Sequence, residues 1–233
     1  MVAVPQKTRL SPRRILNRAL RIGLLCIAVF YAFTLLGLVA LRWLKPPFTA
    51  VQAERRAQSW IHRNPYHKRY FFVALDRISP ALQHAIIAAE DSRFYQHRGF
   101  DWVEVRNAVE EQQEDGRLRG ASTITQQLVK NLFLSTSRSF VRKGVEFTLV
   151  PAAEVILNKR RILELYLNVV EWGPGVYGAE AAAQYHFKIP AARIDRDQAA
   201  RLAAILPSPL RRKPARMNEY STVILERMAK MGW

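Results

Sequence analysis

The longest apolar run in the chain, Ile22 to Leu41, holds no charge for twenty residues and is bracketed by Arg21 and Arg42. A helix of that length spans about 30 Å, the thickness of a bilayer's hydrocarbon core. Pro46 and Pro47 end it. Residues 42–75 read as a lead-in, with Arg69 to Leu75 the best strand candidate. From Ser79 the period becomes helical. Ser79 stands where an N-cap belongs, Pro80 suits the first turn, and Leu82, Ala85, Ile86 and Ala89 recur on one face. Gly120-Ala121-Ser122 marks a second helix start, leading into Thr123 to Leu134. A third helical region runs from near Ser139 to Tyr166, with Pro151 predicted to bend or divide it. Ala179 to Gln184 and Asp197 to Leu206 are Ala-rich and helical. There is no internal repeat or low-complexity tract, and the pattern predicts a mainly α fold.

Composition narrows the class. The 233 residues suit one ordinary domain plus an appendage. A hydrophobic fraction of 49% with 24% charged residues excludes both a disordered chain and a polytopic membrane protein. Cys26 is the single cysteine, so no intramolecular disulfide and no Cys-rich zinc site is available. The net charge of +17 calls for an anionic partner: nucleic acid, an acidic bilayer or a phosphorylated substrate. Eight of those charges, from Lys7 to Lys45, flank the apolar run and leave about +9 on the rest. The positive-inside rule then makes residues 1–21 a cytoplasmic tail and 22–41 a signal-anchor helix. The lead-in (42–75) and the main domain (76–233) lie across the membrane. A cleaved signal peptide is the rival reading, but its apolar core is shorter, and Val39-Ala40-Leu41 offers no Ala-x-Ala site. A domain on that side does not expect nucleic acid.

Three constellations can carry chemistry. Glu90 and Asp91 end an apolar helical run, followed by Phe94, His97 and Gly99. A carboxylate at the edge of a core is a plausible proton acceptor, and surface ion pairing with Arg93 or Arg98 is the plainer alternative. The second, Gly120 to Asn131, puts Thr123, Gln127 and Lys130 on one helix face opposite Ile124, Leu128 and Leu132. Such a polar helix start suits a sugar or phosphate, or is simply a solvated face. In the third, Arg138, Arg142 and Lys143 surround Glu146. This is an ordinary helical pair or a cationic nest for a pyrophosphate. Gly173 to Gly178 matches G-x-G-x-x-G, but its helical flanks exclude a dinucleotide fold. His62, His67, His84, His97 and His186 form no HExxH pair, so no metal site is expected.

Together these motifs resemble the peptidoglycan glycosyltransferases. The residues that carry the resemblance are Glu90-Asp91-x-x-Phe94-x-x-His97-x-Gly99, then Gly120-x-Ser122-Thr123-Ile124-Thr125-Gln126-Gln127-x-x-Lys130-Asn131, then Arg142-Lys143-x-x-Glu146. Ile162-Leu163-Glu164-x-Tyr166-Leu167-Asn168 and Gly175 to Ala183 follow in the same order, so the match covers roughly Ser79 to Pro209. The family's Tyr-Phe pair is Tyr185-His186-Phe187 here, which unsettles the register of Lys188. No serine has lysine three residues later, so the Ser-x-x-Lys transpeptidase nucleophile of the bifunctional relatives is missing.

The resemblance implies a lysozyme-like, mainly α glycosyltransferase domain behind one transmembrane helix. It implies polymerisation of lipid II onto a glycan carried by undecaprenyl diphosphate, at a bacterial inner membrane. Glu90 would be the base and Glu146 the second catalytic carboxylate. Lys130, Arg138, Arg142 and Lys143 would neutralise the pyrophosphate. Ser122, Thr123, Gln126, Gln127 and Asn131 would orient sugar and phosphate oxygens, with Asp91, Phe94 and His97 completing the substrate-binding set. No cofactor is required, and a divalent cation at the pyrophosphate and cell-wall synthesis or division proteins as partners stay open. Leu132, Phe133, Leu134 and Phe140 are expected to dip into the bilayer, or else to be core. A lysozyme-like glycan-cleaving enzyme and a non-catalytic membrane scaffold are the alternatives.

Overall fold

The computed structural model describes residues 12–115, 120, 122–137 and 139–233. Lys7 and Arg9 of the basic tail, and Arg138, lie outside them. The elements in order are α1 (Pro12–Leu41), α2 (Ala50–His62), β1 (Arg69–Tyr70), α3 (Pro80–Glu90), α4 (Trp102–Asp115), α5 (Ile124–Phe133) and α6 (Phe140–Ile156). They continue with α7 (Lys159–Val169), β2 (Glu171–Gly173), β3 (Val176–Tyr177), α8 (Ala179–Phe187), α9 (Arg196–Ile205) and α10 (Asn218–Lys230). The fold is mainly α, with a three-stranded sheet ordered β1-β3-β2 in which β1 is parallel and β2 antiparallel to β3.

α1 is one uninterrupted helix that is long and apolar enough, from Leu16 to Leu41, to cross a membrane. Leu16, Leu20, Ile22, Leu24, Leu25 and Ile27 stand exposed, whereas Leu38 and Leu41 are buried against the domain. Tyr31 Oη lies 2.6 Å from Thr148 Oγ1 on α6. The last carbonyls of a helix lack intrahelical partners. Here Arg161 Nε donates to Leu41 O at 2.8 Å and Nη2 to Leu44 O at 2.6 Å, so a guanidinium from α7 caps the end of the apolar helix.

Residues 50–75 are woven into the domain. Thr49 caps α2 by accepting from Gln52 N. The Glu54 carboxylate accepts from Thr136 N at 2.7 Å and from Thr136 Oγ1 at 2.8 Å, fastening α2 to the loop after α5. Of the expected strand 69–75 only Arg69–Tyr70 pairs, because Asn168 takes over where the ladder stops. Asn168 Oδ1 accepts from Val73 N (2.8 Å) and its Nδ2 donates to Val73 O (2.9 Å), a side-chain imitation of strand pairing. Glu164, four residues earlier on the same face, accepts from Leu75 N.

Two helix boundaries differ from the sequence pattern. Pro151 sits inside α6, and the division falls instead at Asn158, whose side chain accepts from Arg161 N to start α7. Ser79 occupies the N-cap position of α3, but its hydroxyl donates to Ile194 O at 2.7 Å. α2, α4 and α10 are not among the helices that the sequence pattern predicts. The buried helices form two groups, α3 with α9 and α10, and α5 with α6 and α7. A cleft opens along the seam between them.

Candidate active site

Glu90 is the last residue of α3, half-buried at the end of a run in which Ala85 to Ala88 are core. Its Oε2 accepts from Gln127 Nε2 at 2.7 Å. The amide is oriented in turn, because Tyr166 Oη, fully buried on α7, donates to Gln127 Oε1 at 2.9 Å. Burial pushes the Glu90 carboxyl above the usual range, and the Gln127 hydrogen bond and the Lys130 charge oppose that rise without cancelling it. Burial, with the negative charges of Glu90 and Asp91 nearby, holds the Tyr166 phenol protonated and able to donate.

Glu90 shares a cleft of about 410 Å³ with Asp91, Ser122, Thr123, Gln127 and Lys130. Leu206 and Pro207 after α9, and Tyr220 and Arg227 from α10, close its far wall. Lys130 is half-buried, and burial lowers its pKa while Glu146 and Glu90 both pull it back up. Among the described residues its ammonium makes no hydrogen bond or ion pair, so it is a cation available to a ligand.

Glu146 is buried on α6 and does not line this cavity. Arg142 Nη1 donates to its Oε2 at 2.6 Å, and Lys143 Nζ donates to its Oε1. Lys143 also reaches towards Ser122 at the cleft's lip, 3.5 Å away. The helical pair and the cationic nest are thus the same object, and both its cations act electrostatically on Lys130. A carboxylate gripped by two cations fixes their positions.

The remaining predicted residues hold the backbone that presents these groups. Asp91 Oδ1 meets His97 Nε2 at 2.8 Å, and its Oδ2 accepts from Ile124 N at 2.9 Å, setting a negative charge on the α5 N-terminus. Because Gly99 N donates to His97 Nδ1, the His97 proton on Nε2 faces Asp91. Gly99 has φ +90°, and a Cβ there would lie 2.4 Å from Val150 Cγ1, so only glycine fits. Thr123 and Gln126 form a capping box, with Thr123 Oγ1 donating to Gly99 O at 2.7 Å. Asn131 Nδ2 donates to Gln127 O. Phe94 is wholly buried and has no surface to offer a substrate; it packs under Lys159.

Asp91, His97 and Asp101 bring ligand atoms within 4.8 Å of one another, the one such group among the described residues. Asp101 accepts from Val103 N and Glu104 N and lies beside Arg93, so all three side chains already have protein partners. Lys188 stands in the left-handed C-cap of α8 (φ 62°), with Nζ donating to Tyr185 O, away from the Glu90 cleft. Leu132 and Leu134 belong to the core and Phe133 packs against α1 at Gly37, so these three do not face a bilayer; Phe140 is 97% exposed. Sequence reasoning missed Tyr220 and Arg227. Their spacing of seven puts them on one face of α10, a periodicity visible only once that helix is recognised.

Comparison with known proteins gives the family. Residues 57–229 match the family described as Transglycosylase. The biosynthetic peptidoglycan transglycosylase of Pseudomonas putida F1 is 44% identical over 204 residues, covering 88% of this chain and 84% of that protein. The Pseudomonas aeruginosa protein of the same name is 44% identical over 191 residues, with 82% of each chain covered. That of Shigella boydii is 43% identical over 233 residues, covering 97% of this chain and 95% of its own. The family match across residues 57–229 and these identities over most of both chains place the chain in the transglycosylase family, as a peptidoglycan glycosyltransferase.

Proposed function

We propose that the enzyme polymerises lipid II into linear β-1,4 glycan strands, inverting the anomeric carbon and releasing undecaprenyl diphosphate. The observation that carries this reading is the opposition of Glu90 and Lys130 in one cleft. Burial makes Glu90 a stronger base than an exposed carboxylate, and Gln127 aims it. It takes the proton of the attacking sugar hydroxyl as that oxygen bonds to the anomeric carbon. The bond from that carbon to the diphosphate oxygen breaks, and the electron pair leaves with the diphosphate. Lys130 meets that charge, and Arg142 and Lys143, held in place by Glu146, add to the positive field. Ser122 supplies a hydroxyl at the cleft's lip. Asp91, Thr123, Gln126, His97, Phe94 and Asn131 support this arrangement rather than touch the reacting atoms.

The same reading sets α1 across the inner membrane with its basic N-terminal side in the cytoplasm and the cleft on the opposite side. A substrate with a polyprenyl tail stays in that bilayer, so a tether raises its concentration at the cleft. The test is polymer formation from purified lipid II by the full chain in detergent. Polymer from the unaltered chain and none from Glu90→Gln would support the assignment. Soluble fragments released from cell walls, with no polymer made, would overturn it in favour of a glycan-cleaving enzyme.

A further inference from the structure

Beyond the catalytic cleft lies a second groove, of about 980 Å³, between the end of α8, the start of α9 and the segment 209–215. Lys188, Arg201, Arg211, Arg212 and Lys213 line it, against the carboxylates of Asp195 and Asp197. Both acids are engaged. Asp195 caps α9 by accepting from Gln198 N, and Asp197 Oδ2 accepts from Arg201 Nε at 2.6 Å. Arg211 and Lys213 are exposed and have no ion-pair partner among the described residues. The groove therefore presents uncompensated positive charge, with the ring of Tyr185 between Arg69 (5.2 Å) and Lys188 (5.9 Å) at one rim.

The wall between groove and cleft is thin. Arg212 lines the groove, and its guanidinium lies 5.5 Å from the ring centre of Tyr220, which lines the cleft. Arg212 Nη1 is fixed by Ala204 O at 2.9 Å. Its charge is felt by Glu90 through that wall. A ligand lying in the cleft thus has a cationic trough beside its reacting end.

We propose that this groove extends the catalytic cleft and holds the carboxylate-bearing peptide attached to the sugar substrate. The proposal rests on the lipid II reading above. It favours a peptide over lipid headgroups because the groove is walled by α8, α9 and the 209–215 segment, whereas the membrane helix α1 packs on α6. Arg211 and Lys213 supply the free charges, and Arg212 stands in the wall shared with the cleft, against Tyr220. Such partly exposed charge pairs strengthen binding modestly each and weaken with salt.

The experiment uses the full chain and two substrates, lipid II with its peptide carboxylates free and lipid II with them amidated. The unaltered enzyme is expected to show a KM about fivefold higher on the amidated substrate, with kcat little changed. Arg211→Glu with Lys213→Glu should raise KM on the native substrate by about as much and abolish the difference between substrates. Arg211→Ala with Lys213→Ala should fall between, and both sites are exposed, so the fold is kept. Equal KM values for the two substrates in the unaltered enzyme would overturn the proposal while leaving the polymerase reading intact. No polymer from either substrate would sink that reading first. A defect of the reversal variant that appears only in phosphatidylglycerol vesicles, and vanishes in neutral detergent, would assign the groove to lipid headgroups instead.

Discussion

Glu90 and Glu146 are both helix-borne glutamates flanking Lys130, yet their surroundings divide their chemistry. Glu90 is touched by a neutral amide, which is oriented by a neutral phenol, and burial raises its pKa. Glu146 is more deeply buried but sits between a guanidinium and an ammonium. Burial alone therefore does not make a base. What matters is whether the buried charge is already neutralised. The two walls differ in the same way. The α3–α9–α10 side brings the proton acceptor, and the α5–α6 side brings Lys130, Arg142 and Lys143 and leans on the apolar helix α1. A lipid-linked diphosphate would thus be held on the side where its tail enters, and the sugar hydroxyl would be activated on the other.

The most direct way to break this contrast is to remove each charge in turn. Glu90→Gln keeps the hydrogen-bonding shape but cannot take a proton, so turnover of lipid II should fall by about a thousandfold. The substrate KM should change little, which a continuous polymerisation assay would measure. Glu146→Gln should do something different. It frees Arg142 and Lys143 from their anchor, lowering kcat by about a hundredfold or less, and it should also destabilise the fold by about 2 kcal/mol. Thermal unfolding separates the two, since Glu90→Gln relieves a buried charge and should not lower Tm. If both variants lost activity and stability alike, the division of labour would be wrong.

Some of this was legible in the sequence and some was not. The capped start at Thr123, the α5 stripe of Ile124, Leu128 and Leu132, and the membrane-length run to Leu41 all follow from local pattern. The pairing of Arg142 with Glu146 is a spacing of four, which any helix brings together. The division between residues that support the site and residues that face the cleft was not legible. His97 and Phe94 sit in the same motif as Glu90, yet Phe94 is wholly buried and His97 is held between Asp91 and Gly99 N. The Tyr166–Gln127–Glu90 chain joins three elements and has no local signature. α10 was missed although Ser221, Ile224 and Met228 recur along its buried face, and with it the cleft residues Tyr220 and Arg227. The apolar tail of α5 is expected from the sequence to dip into the bilayer, and long-range packing against α1 and α7 makes it core instead.

A smaller effect sharpens the account of Glu90. In Tyr166→Phe the ring still fills its place, but Gln127 loses the donor that fixes which way its amide points. A flipped amide turns its oxygen to Glu90 and withdraws the N–H that favours the charged form. The Glu90 pKa should then rise further, and because the base must be ionised, the acid limb of the pH–rate profile should move to higher pH. The rate at neutral pH should fall by about tenfold. The basic limb, where Lys130 loses its proton below the usual lysine range, should stay where it is. A uniform drop in rate with no displacement of the acid limb would show that Tyr166 serves packing alone.

The mildest expectation concerns the cationic wall's outer face. α6 exposes Phe140, Val141 and Val155 (97, 77 and 86% exposed) while its Thr148 meets Tyr31 of α1. If α1 spans a bilayer, this exposed apolar strip beside it would meet lipid and bring the Lys130–Arg142–Lys143 cluster to the depth of a lipid diphosphate. Replacing all three residues by serine in the full chain removes that contact and leaves the α1 tether in place. In lipid vesicles the KM for lipid II should therefore rise only about threefold, whereas in detergent, where no bilayer sets the depth, it should not change. An equal shift in both media would mean that the substitutions disturb α6 itself. No shift in either would return the strip to the ordinary apolar fraction of a protein surface.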